Sequence, residues 1–190
     1  MDKSDIRRLV KAQKALLEAT EQAEAAEQAF ARLETSAAFM MADNILMYHS
    51  LPDEISTHAF LDKWHERKHF FLPRVNGADL EILPYDRSRL SLGAFLIEEP
   101  EGADTVEMDA IDMVVVPAVA YDRKCNRVGR GRGYYDRLLR GTRAVKVGVA
   151  YDFQLMDEVP YDENDVPKKT ELRVIDTVFL VMRYSDDGGY

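Results

Sequence analysis

The hydrophobic positions along the chain repeat with two different periods, which predicts helices at the start and strands further on. Over residues 4–34, apolar residues recur at helical spacing among Ala, Glu, Gln, Lys and Arg. The apolar stripe restarts after Thr20, so we expect two helices rather than one long rod. A coiled coil is the weaker interpretation, because the heptads do not persist. A further helix is expected over residues 55–66, after the breaker Pro52.

Short apolar runs with β-forming residues follow the N-terminal helices. The runs at 113–116 and 178–182 are apolar at both alternating positions, as expected for strands covered by helices on both faces. The sequence therefore predicts an α/β layered fold, with a largely parallel central sheet flanked by helices and the N-terminal helical segment packed over it. The strand candidates are residues 45–49, 69–73, 80–85, 112–120, 144–152 and 177–184.

The remaining segments give no sign of a second domain. Residues 98–109 are polar and are expected to form a surface loop, and residues 185–190 a frayed tail. The chain has 190 residues and no internal repeat. At very roughly one domain per 150 residues, we expect a single domain over residues 1–190.

Composition and charge narrow the possible partners. The net charge of -9 disfavours nucleic acid, because the phosphate backbone would be repelled. No run approaches the roughly 18 to 20 apolar residues that span a bilayer, so we expect a cytoplasmic protein with no membrane partner. The single cysteine, Cys125, fits a reducing compartment and leaves a zinc site poorly supported. We expect a monomer or a weak homo-oligomer.

Positive charge is nevertheless concentrated in one region, between residues 123 and 143, where seven arginines lie. There a buried strand runs into a loop in which Gly129, Gly131 and Gly133 alternate with arginines, and then into a helix-like segment. Glycines let backbone N–H groups approach a phosphate, and a helix N-terminus adds positive partial charge. The pattern matches neither standard nucleotide-binding fingerprint. Two alternatives, a solvated arginine-glycine loop and a weak RNA contact, are together about as well supported as a phosphate site.

The complete sequence of the loop, taken with the residues that flank it, decides between these interpretations. VGRGRGYYDRLL, preceded by VVPAVAYD, resembles the signature of the 5-formyltetrahydrofolate cyclo-ligase family, also called methenyltetrahydrofolate synthetase, whose usual loop is Gly-x-Gly-Lys-Gly-Tyr-Tyr-Asp. Further stretches fit in the same order over nearly the whole chain. Residues 3–7 resemble the family's Lys-x-x-x-Arg, 53–57 its Glu-x-x-Thr, 70–75 its strand ending in Pro-Arg, and 159–165 its Val-Pro-x-x-x-(His or Asn)-Asp.

The resemblance implies an ATP- and Mg²⁺-dependent conversion of 5-formyltetrahydrofolate to 5,10-methenyltetrahydrofolate, with release of ADP and phosphate. ATP would phosphorylate the formyl oxygen, and nitrogen 10 would close the ring. The implied ATP-binding residues are Lys3, Arg7, Arg127, Gly129, Gly131, Arg132, Gly133 and Tyr135. The implied substrate-binding residues are Glu54, Arg130, Gly133 and Tyr134. The implied catalytic residues are Arg130, Arg132 and Tyr134, and the implied Mg²⁺ ligands are Asp136 and Asp165.

Without the resemblance, simpler roles would be preferred for most of these residues. Asp136 would be an acid in the first turn of a helix, and Asp165 a turn residue. Lys3 and Arg7 would belong to a solvated helix face, and Glu54 to the start of the helix over 55–66. A non-catalytic folate- or nucleotide-binding protein of the same fold stays open as an alternative.

Two positions depart from the family pattern. Arg132 stands where the family usually has Lys, which keeps the charge but replaces a compact ammonium by a planar fork. Leu96 follows Phe95 where the family more often has Gly, so Phe95 is not expected to line a folate pocket in the usual way. Residues 166–176 also look irregular beside the family.

Overall fold

A computed structural model describes residues 1–160 and 180–182. Helices lie mainly in the first third of the chain, and strands follow, as the hydrophobic pattern predicts. The helices are α1 Lys3–Lys14, α2 Ala19–Glu34, α3 Ala37–Met41, α4 His58–Trp64 and α5 Tyr134–Leu138. The strands are β1 Asn44–Leu46, β2 His69–Asn76, β3 Asp79–Pro84, β4 Leu90–Leu92, β5 Glu98–Pro100, β6 Met113–Val116, β7 Ala120–Asp122, β8 Arg127–Val128, β9 Val145–Tyr151, β10 Leu155–Met156 and β11 Leu180–Met182.

The central sheet has six strands in the order β11-β9-β6-β1-β2-β3. Its neighbours pair in parallel except for β2 and β3, which form an antiparallel pair. Strand β6 is buried at all its positions, which explains its uniformly apolar sequence. Two smaller sheets, β4-β5 and β10-β7-β8, lie outside the central one. The predicted α/β fold with a largely parallel sheet is confirmed.

Helix α2 covers the sheet with a face of small and aromatic residues. Ala29 and Leu33 are fully buried, and the ring of Phe30 stacks on that of Phe60 with centroids 4.6 Å apart. These residues belong to the largest core cluster, which also contains residues of β1, β6 and β9. The break between the first two helices lies a few residues before Thr20, because the Glu21 carboxylate accepts a hydrogen bond from the backbone N–H of Glu18 and starts α2 there.

Helix α1 packs on the small sheet rather than on the large core. Its buried residues Ile6 and Val10 share a separate apolar cluster with Ala120, Val128 and Val159. The helix is amphipathic, and Ile6 and Val10 are its buried apolar residues. The cluster therefore fixes α1 across the β7–β8 hairpin, next to the arginine-rich loop.

Several predicted boundaries are wrong for local reasons. The helix expected over 55–66 is shorter, because the Thr57 hydroxyl donates to the Tyr48 carbonyl at 2.8 Å and holds the preceding residues outside the helix. The strand expected over 112–120 is split into β6 and β7. The surface loop expected over 98–109 is wrong at its start, since β5 pairs with β4 and Glu99 accepts a hydrogen bond from the Val75 N–H at 3.0 Å. The predicted tail 185–190 lies outside the described residues.

The turn that joins β4 to β5 contains two adjacent residues in a conformation that favours glycine. Phe95 has φ 61° and Leu96 has φ 59°, both in the left-handed region. The turn is closed by a hydrogen bond from the Gly93 N–H to the Ile97 carbonyl at 2.8 Å. Leu96 is also 79% exposed, so packing does little to offset the strain. This conformation accounts for the glycine that the family more often has at position 96.

We predict that Leu96→Gly raises the free energy of unfolding by roughly 0.5 to 1 kcal/mol, because glycine adopts a positive φ without a Cβ clash. Urea denaturation followed by circular dichroism measures the change. The matched control is Leu92→Gly, also an exposed leucine but within β4. That change should lower the stability by a similar amount, and a loss of stability in both variants would contradict a strained Leu96.

Candidate active site

The glycine-arginine loop, residues 127–136, runs from β8 to α5. Gly131 and Gly133 have φ 102° and 68°, so a side chain at either position would be strained. Helix α5 has only five residues. Its N-terminus is therefore a weak source of positive potential, and the positive charge of the loop comes mainly from its arginines.

The buried carboxylate of Asp122 holds the hairpin from which this loop emerges. Its Oδ1 accepts hydrogen bonds from the backbone N–H groups of Lys124 and Asn126, both at 2.9 Å. Its Oδ2 accepts from Asn126 Nδ2 at 2.9 Å and from the Val159 N–H at 3.1 Å. Asp122 is fully buried, and these contacts satisfy its charge. Sequence reasoning passed over Asp122, although an Asp followed four residues later by Asn in a turn was an available signal.

Arg7 brings helix α1 into contact with the loop. Its Nε donates a hydrogen bond to the Gly129 carbonyl at 2.9 Å. Its guanidinium also lies against Gly131, where a Cβ would be 3.5 Å from Nη2. Lys3 lies one helical turn before Arg7 and is half-buried. The structure thus joins Arg7 to the loop although more than a hundred residues separate them.

Arg127 and Asp136 close the base of the loop with an ion pair. Arg127 Nη2 donates to Asp136 Oδ1 at 2.8 Å, and the guanidinium lies 5.7 Å from the centroid of the Tyr135 ring. The Arg127 side chain is only 13% exposed, and its Nε is buried without a hydrogen-bond partner among the described residues. Burial raises the pKa of Tyr135, so its phenol stays protonated at neutral pH.

Arg130 connects the loop to the segment that precedes α4. Its Nη2 donates to Asp53 Oδ1 at 2.8 Å and to Glu54 Oε1 at 3.1 Å. Burial lowers the pKa of Arg130, but the carboxylates of Glu54 and Asp53 outweigh it and the net shift is upward. The Glu54 carboxylate is held from its other side by the Leu51 N–H at 2.9 Å. The substrate-binding candidates Glu54 and Arg130 are thus in direct contact.

Sequence reasoning missed Lys14, which completes this ionic cluster. Its ammonium lies 4.0 Å from Asp53 Oδ2, and its side chain is only 11% exposed. Burial lowers the pKa of Lys14, while Asp53 acts in the opposite direction. The signal that was available is its spacing, since Lys14 follows Arg7 by seven residues and so lies on the same helix face.

Arg132 and Tyr134, two of the catalytic candidates, contact different neighbouring turns. The Arg132 guanidinium lies 4.7 Å from the centroid of the Phe95 ring, in the turn between β4 and β5. The Tyr134 hydroxyl donates to the Gly77 carbonyl at 3.4 Å, and the Arg137 guanidinium lies over its ring. Arg130, Arg132 and Tyr134 therefore belong to one loop but meet three separate segments around it.

A cavity of about 430 Å³ lies beside Glu54. Its volume is in the range of small-molecule sites, and its wall is formed by the start of α2, the segment before α4, and the β4–β5 turn. The sequence contained no clear signal for it, because its residues come from distant parts of the chain. Its lining includes Gln22, His49, Glu54, His58, Leu96 and Glu98.

A metal site built from protein side chains alone is absent from residues 1–160 and 180–182, where no group of three or more His, Cys, Asp or Glu could hold an ion. Asp136 provides one carboxylate, of which Oδ1 is bound to Arg127. The second Mg²⁺ candidate, Asp165, lies outside the described residues. No helix in the described part of the chain is long and apolar enough to cross a membrane.

Comparisons with known proteins agree with one another. Residues 1–171 match the model of the 5-formyltetrahydrofolate cyclo-ligase family. The 5-formyltetrahydrofolate cyclo-ligase of Escherichia coli K12 is 29% identical over 169 residues, covering 84% of this chain and 93% of the relative. That of Haemophilus influenzae is 32% identical over 136 residues, covering 66% of this chain and 73% of the relative.

Solved structures give the same result for the fold. The NMR structure of Aquifex aeolicus 5,10-methenyltetrahydrofolate synthetase superimposes with a TM-score of 0.78 at 31% identity, covering 85% of this chain and 84% of that one. A 5,10-methenyltetrahydrofolate synthetase from Mycoplasma pneumoniae superimposes with a TM-score of 0.66 and covers 85% of this chain and 92% of that one. Its identity of 21% supports the fold alone.

We predict that Asp122→Ala lowers the free energy of unfolding by about 2 to 4 kcal/mol, since it leaves buried N–H donors without an acceptor. Chemical denaturation measures the loss. Asp152→Ala, which removes a half-buried aspartate at the end of β9, is the control for a general effect of losing an acid. A loss no larger than that of the control would contradict the supporting role of Asp122.

Proposed function

The chain belongs to the 5-formyltetrahydrofolate cyclo-ligase family, and we propose that it converts 5-formyltetrahydrofolate to 5,10-methenyltetrahydrofolate with ATP and Mg²⁺, releasing ADP and phosphate. The family and the class of enzyme expected from the sequence are confirmed by the comparisons. The observation that carries the finer proposal is the meeting of α1 and residues 53–54 at one loop, through Arg7 and Arg130.

ATP is proposed to bind along the loop on the side of α1. Arg7 is already oriented there by the Gly129 carbonyl, and Lys3 lies one turn away on the same helix. Both would bind phosphate oxygens, together with the backbone N–H groups of Gly131 and Gly133 and the neighbouring arginines. The further proposed ATP contacts are Arg127, Gly129, Arg132 and Tyr135.

The carboxylate available at the loop suits Mg²⁺ if oxygens of the ATP phosphates complete the coordination of the ion. The ion prefers hard oxygen ligands and usually takes one or two carboxylates with phosphates and water. Asp136 offers a carboxylate at the end of the loop, next to the proposed phosphate contacts. When bound, the ion would neutralise charge on the phosphates. Asp136 and Asp165 stay the proposed Mg²⁺ ligands. The cytoplasm stays the proposed location of the protein.

The folate is proposed to bind beside Glu54, in the adjoining cavity. The Glu54 carboxylate would accept hydrogen bonds from the amino and ring N–H groups of the pterin. Arg130, which belongs to the loop, donates to the same carboxylate and so connects the loop to the proposed folate site. Gly133 and Tyr134 are the other proposed substrate contacts.

The proposed reaction turns a poor leaving group into a good one. The formyl oxygen attacks the γ-phosphorus of ATP and the bond to ADP breaks. Nitrogen 10 then attacks the activated carbon, its proton is lost, and the carbon–oxygen bond breaks to release phosphate. Phosphoryl transfer of this kind depends on positioning and on charge neutralisation, so Arg130 and Arg132 would serve better than a protein nucleophile. Tyr134 would help to position the substrate from the same loop.

The test is an assay on the purified chain. With 5-formyltetrahydrofolate, ATP and Mg²⁺, the near-ultraviolet absorbance of the methenyl product should accumulate, and omission of ATP or addition of EDTA should abolish it. Folded protein that binds the folate but yields no product would contradict the enzymatic proposal. That result would favour the alternative, a non-catalytic folate- or nucleotide-binding protein of the same fold.

We predict that Arg7→Met raises KM for ATP by roughly tenfold or more, because a charge-assisted hydrogen bond to a phosphate is lost. Steady-state kinetics at saturating folate measure the effect. The matched control is Arg8→Met on the same helix, since the Arg8 side chain is 79% exposed and pairs with Asp5 instead of the loop. Equal KM values for the two variants would exclude Arg7 from the proposed phosphate site.

A further inference from the structure

Two stacked histidines and a glutamate form a connected row in the wall of the cavity beside Glu54. The rings of His49 and His58 are 4.1 Å apart and inclined by 15°. His49 Nδ1 lies 3.2 Å from Glu98 Oε2, and His58 Nε2 lies 3.2 Å from the Ser50 carbonyl oxygen. All four of these residues line the cavity.

The hydrogen-bond partners assign the protons in this row. A carbonyl only accepts, so His58 carries a proton on Nε2. A carboxylate also only accepts, so the Nδ1 of His49, which faces Glu98, is the nitrogen expected to carry the proton of that ring. Burial lowers the pKa of His49, with a smaller contribution in the same direction from His58. The Glu98 carboxylate acts in the opposite direction, but the net shift of the pKa is downward and favours the neutral ring. The His49 side chain is only 9% exposed, so its ring is held in place and presents Nδ1 to the Glu98 carboxylate.

Glu98 keeps an accessible carboxylate beside the His49 ring. Its side chain is 50% exposed, and its Oε2 lies 3.2 Å from His49 Nδ1. The same cavity wall contains Glu54, whose side chain is 15% exposed and whose two oxygens already accept from Arg130 and the Leu51 N–H. Of these two cavity carboxylates, Glu98 has the greater capacity to accept a hydrogen bond from a ligand.

We propose that Glu98, held by His49, is a second carboxylate of the folate site and accepts a hydrogen bond from an N–H group of the reduced pteridine. The inference rests on the proposed function, since it concerns the same substrate. A reduced pteridine carries donors on its 2-amino group and on N3 and N8, which is more than one carboxylate satisfies. The glutamate tail of a folate is an anion, and the two carboxylates would repel it.

The exposed apolar side chain of Leu96 on the same wall also suits a flat ring better than a charged tail. The cavity is closed on the α2 side by Gln22 and Ala23, which carry no positive charge to pair with a tail carboxylate. Glu98 thus strengthens the binding of the pteridine ring of the substrate. It is not proposed to act on the transferred phosphoryl group.

The experiment compares Glu98→Ala, His49→Phe and the double variant with the wild-type chain. Glu98→Ala should raise both Kd and KM for 5-formyltetrahydrofolate about tenfold, as expected for one partly exposed charge-assisted hydrogen bond. KM for ATP and kcat should stay within about twofold of wild type. His49→Phe keeps the stacked ring but removes the donor, so it should raise Kd about threefold. The double variant should match Glu98→Ala, because His49 acts through Glu98.

The control is Glu101→Ala, an exposed acid just beyond β5 that lies outside this cavity wall and should leave Kd unchanged. Thermal melting of each variant checks folding, and Glu98→Gln, which preserves shape, replaces Glu98→Ala if that variant is unstable. If wild type is active and neither Glu98 variant changes Kd, the inference is overturned and the proposed function stands. Additive effects of His49→Phe and Glu98→Ala would overturn the link between the two residues. A wild-type chain that neither binds nor converts the folate would overturn both proposals.

Discussion

The candidate site depends first on the burial of one charge, that of Asp122. A carboxylate removed from water is costly unless hydrogen bonds replace its hydration, and here the backbone of the β7–β8 hairpin and the Val159 N–H replace it. The shape of that hairpin is thereby fixed. Val128, in its second strand, then contributes to the apolar cluster that receives Ile6 and Val10 of α1. The contact between Arg7 and Gly129 follows from that docking, so the hairpin aligns two distant segments of the chain.

Opposite charges around the loop keep its cations oriented in an acidic protein. Arg127 is paired with Asp136, and Arg130 with Asp53 and Glu54. Such pairs contribute little to stability where they are exposed, but they restrict long side chains to a few orientations. A phosphate that binds Arg130 would compete with Asp53, and Lys14, 4.0 Å away, would then remain to neutralise that aspartate. The network thus reduces the cost of reorganising the arginines when an anion arrives.

The sequence was most informative where burial alone decides the structure. Strand β6 is apolar at consecutive positions because both of its faces are covered, and its prediction followed directly. Strand β5 was missed because EEPEG has the composition of a loop, while its pairing depends on Glu99 and the distant N–H of Val75. The contact of Arg7 with Gly129 was equally invisible to periodicity, since no local pattern encodes a contact between such remote positions. Only the family resemblance brought those two segments together.

The two positions at which the chain departs from the family pattern are close to each other in the fold. Arg132, in place of the usual Lys, lies over the ring of Phe95, and Leu96 is the next residue. A planar guanidinium stacks on an aromatic face over a wider area than an ammonium does. The arginine can therefore support an aromatic residue whose own left-handed φ is unfavourable, in a turn that also contains a strained leucine. Since Leu96 lines the cavity and Arg132 belongs to the loop, this contact joins the proposed folate side of the site to its proposed phosphate side.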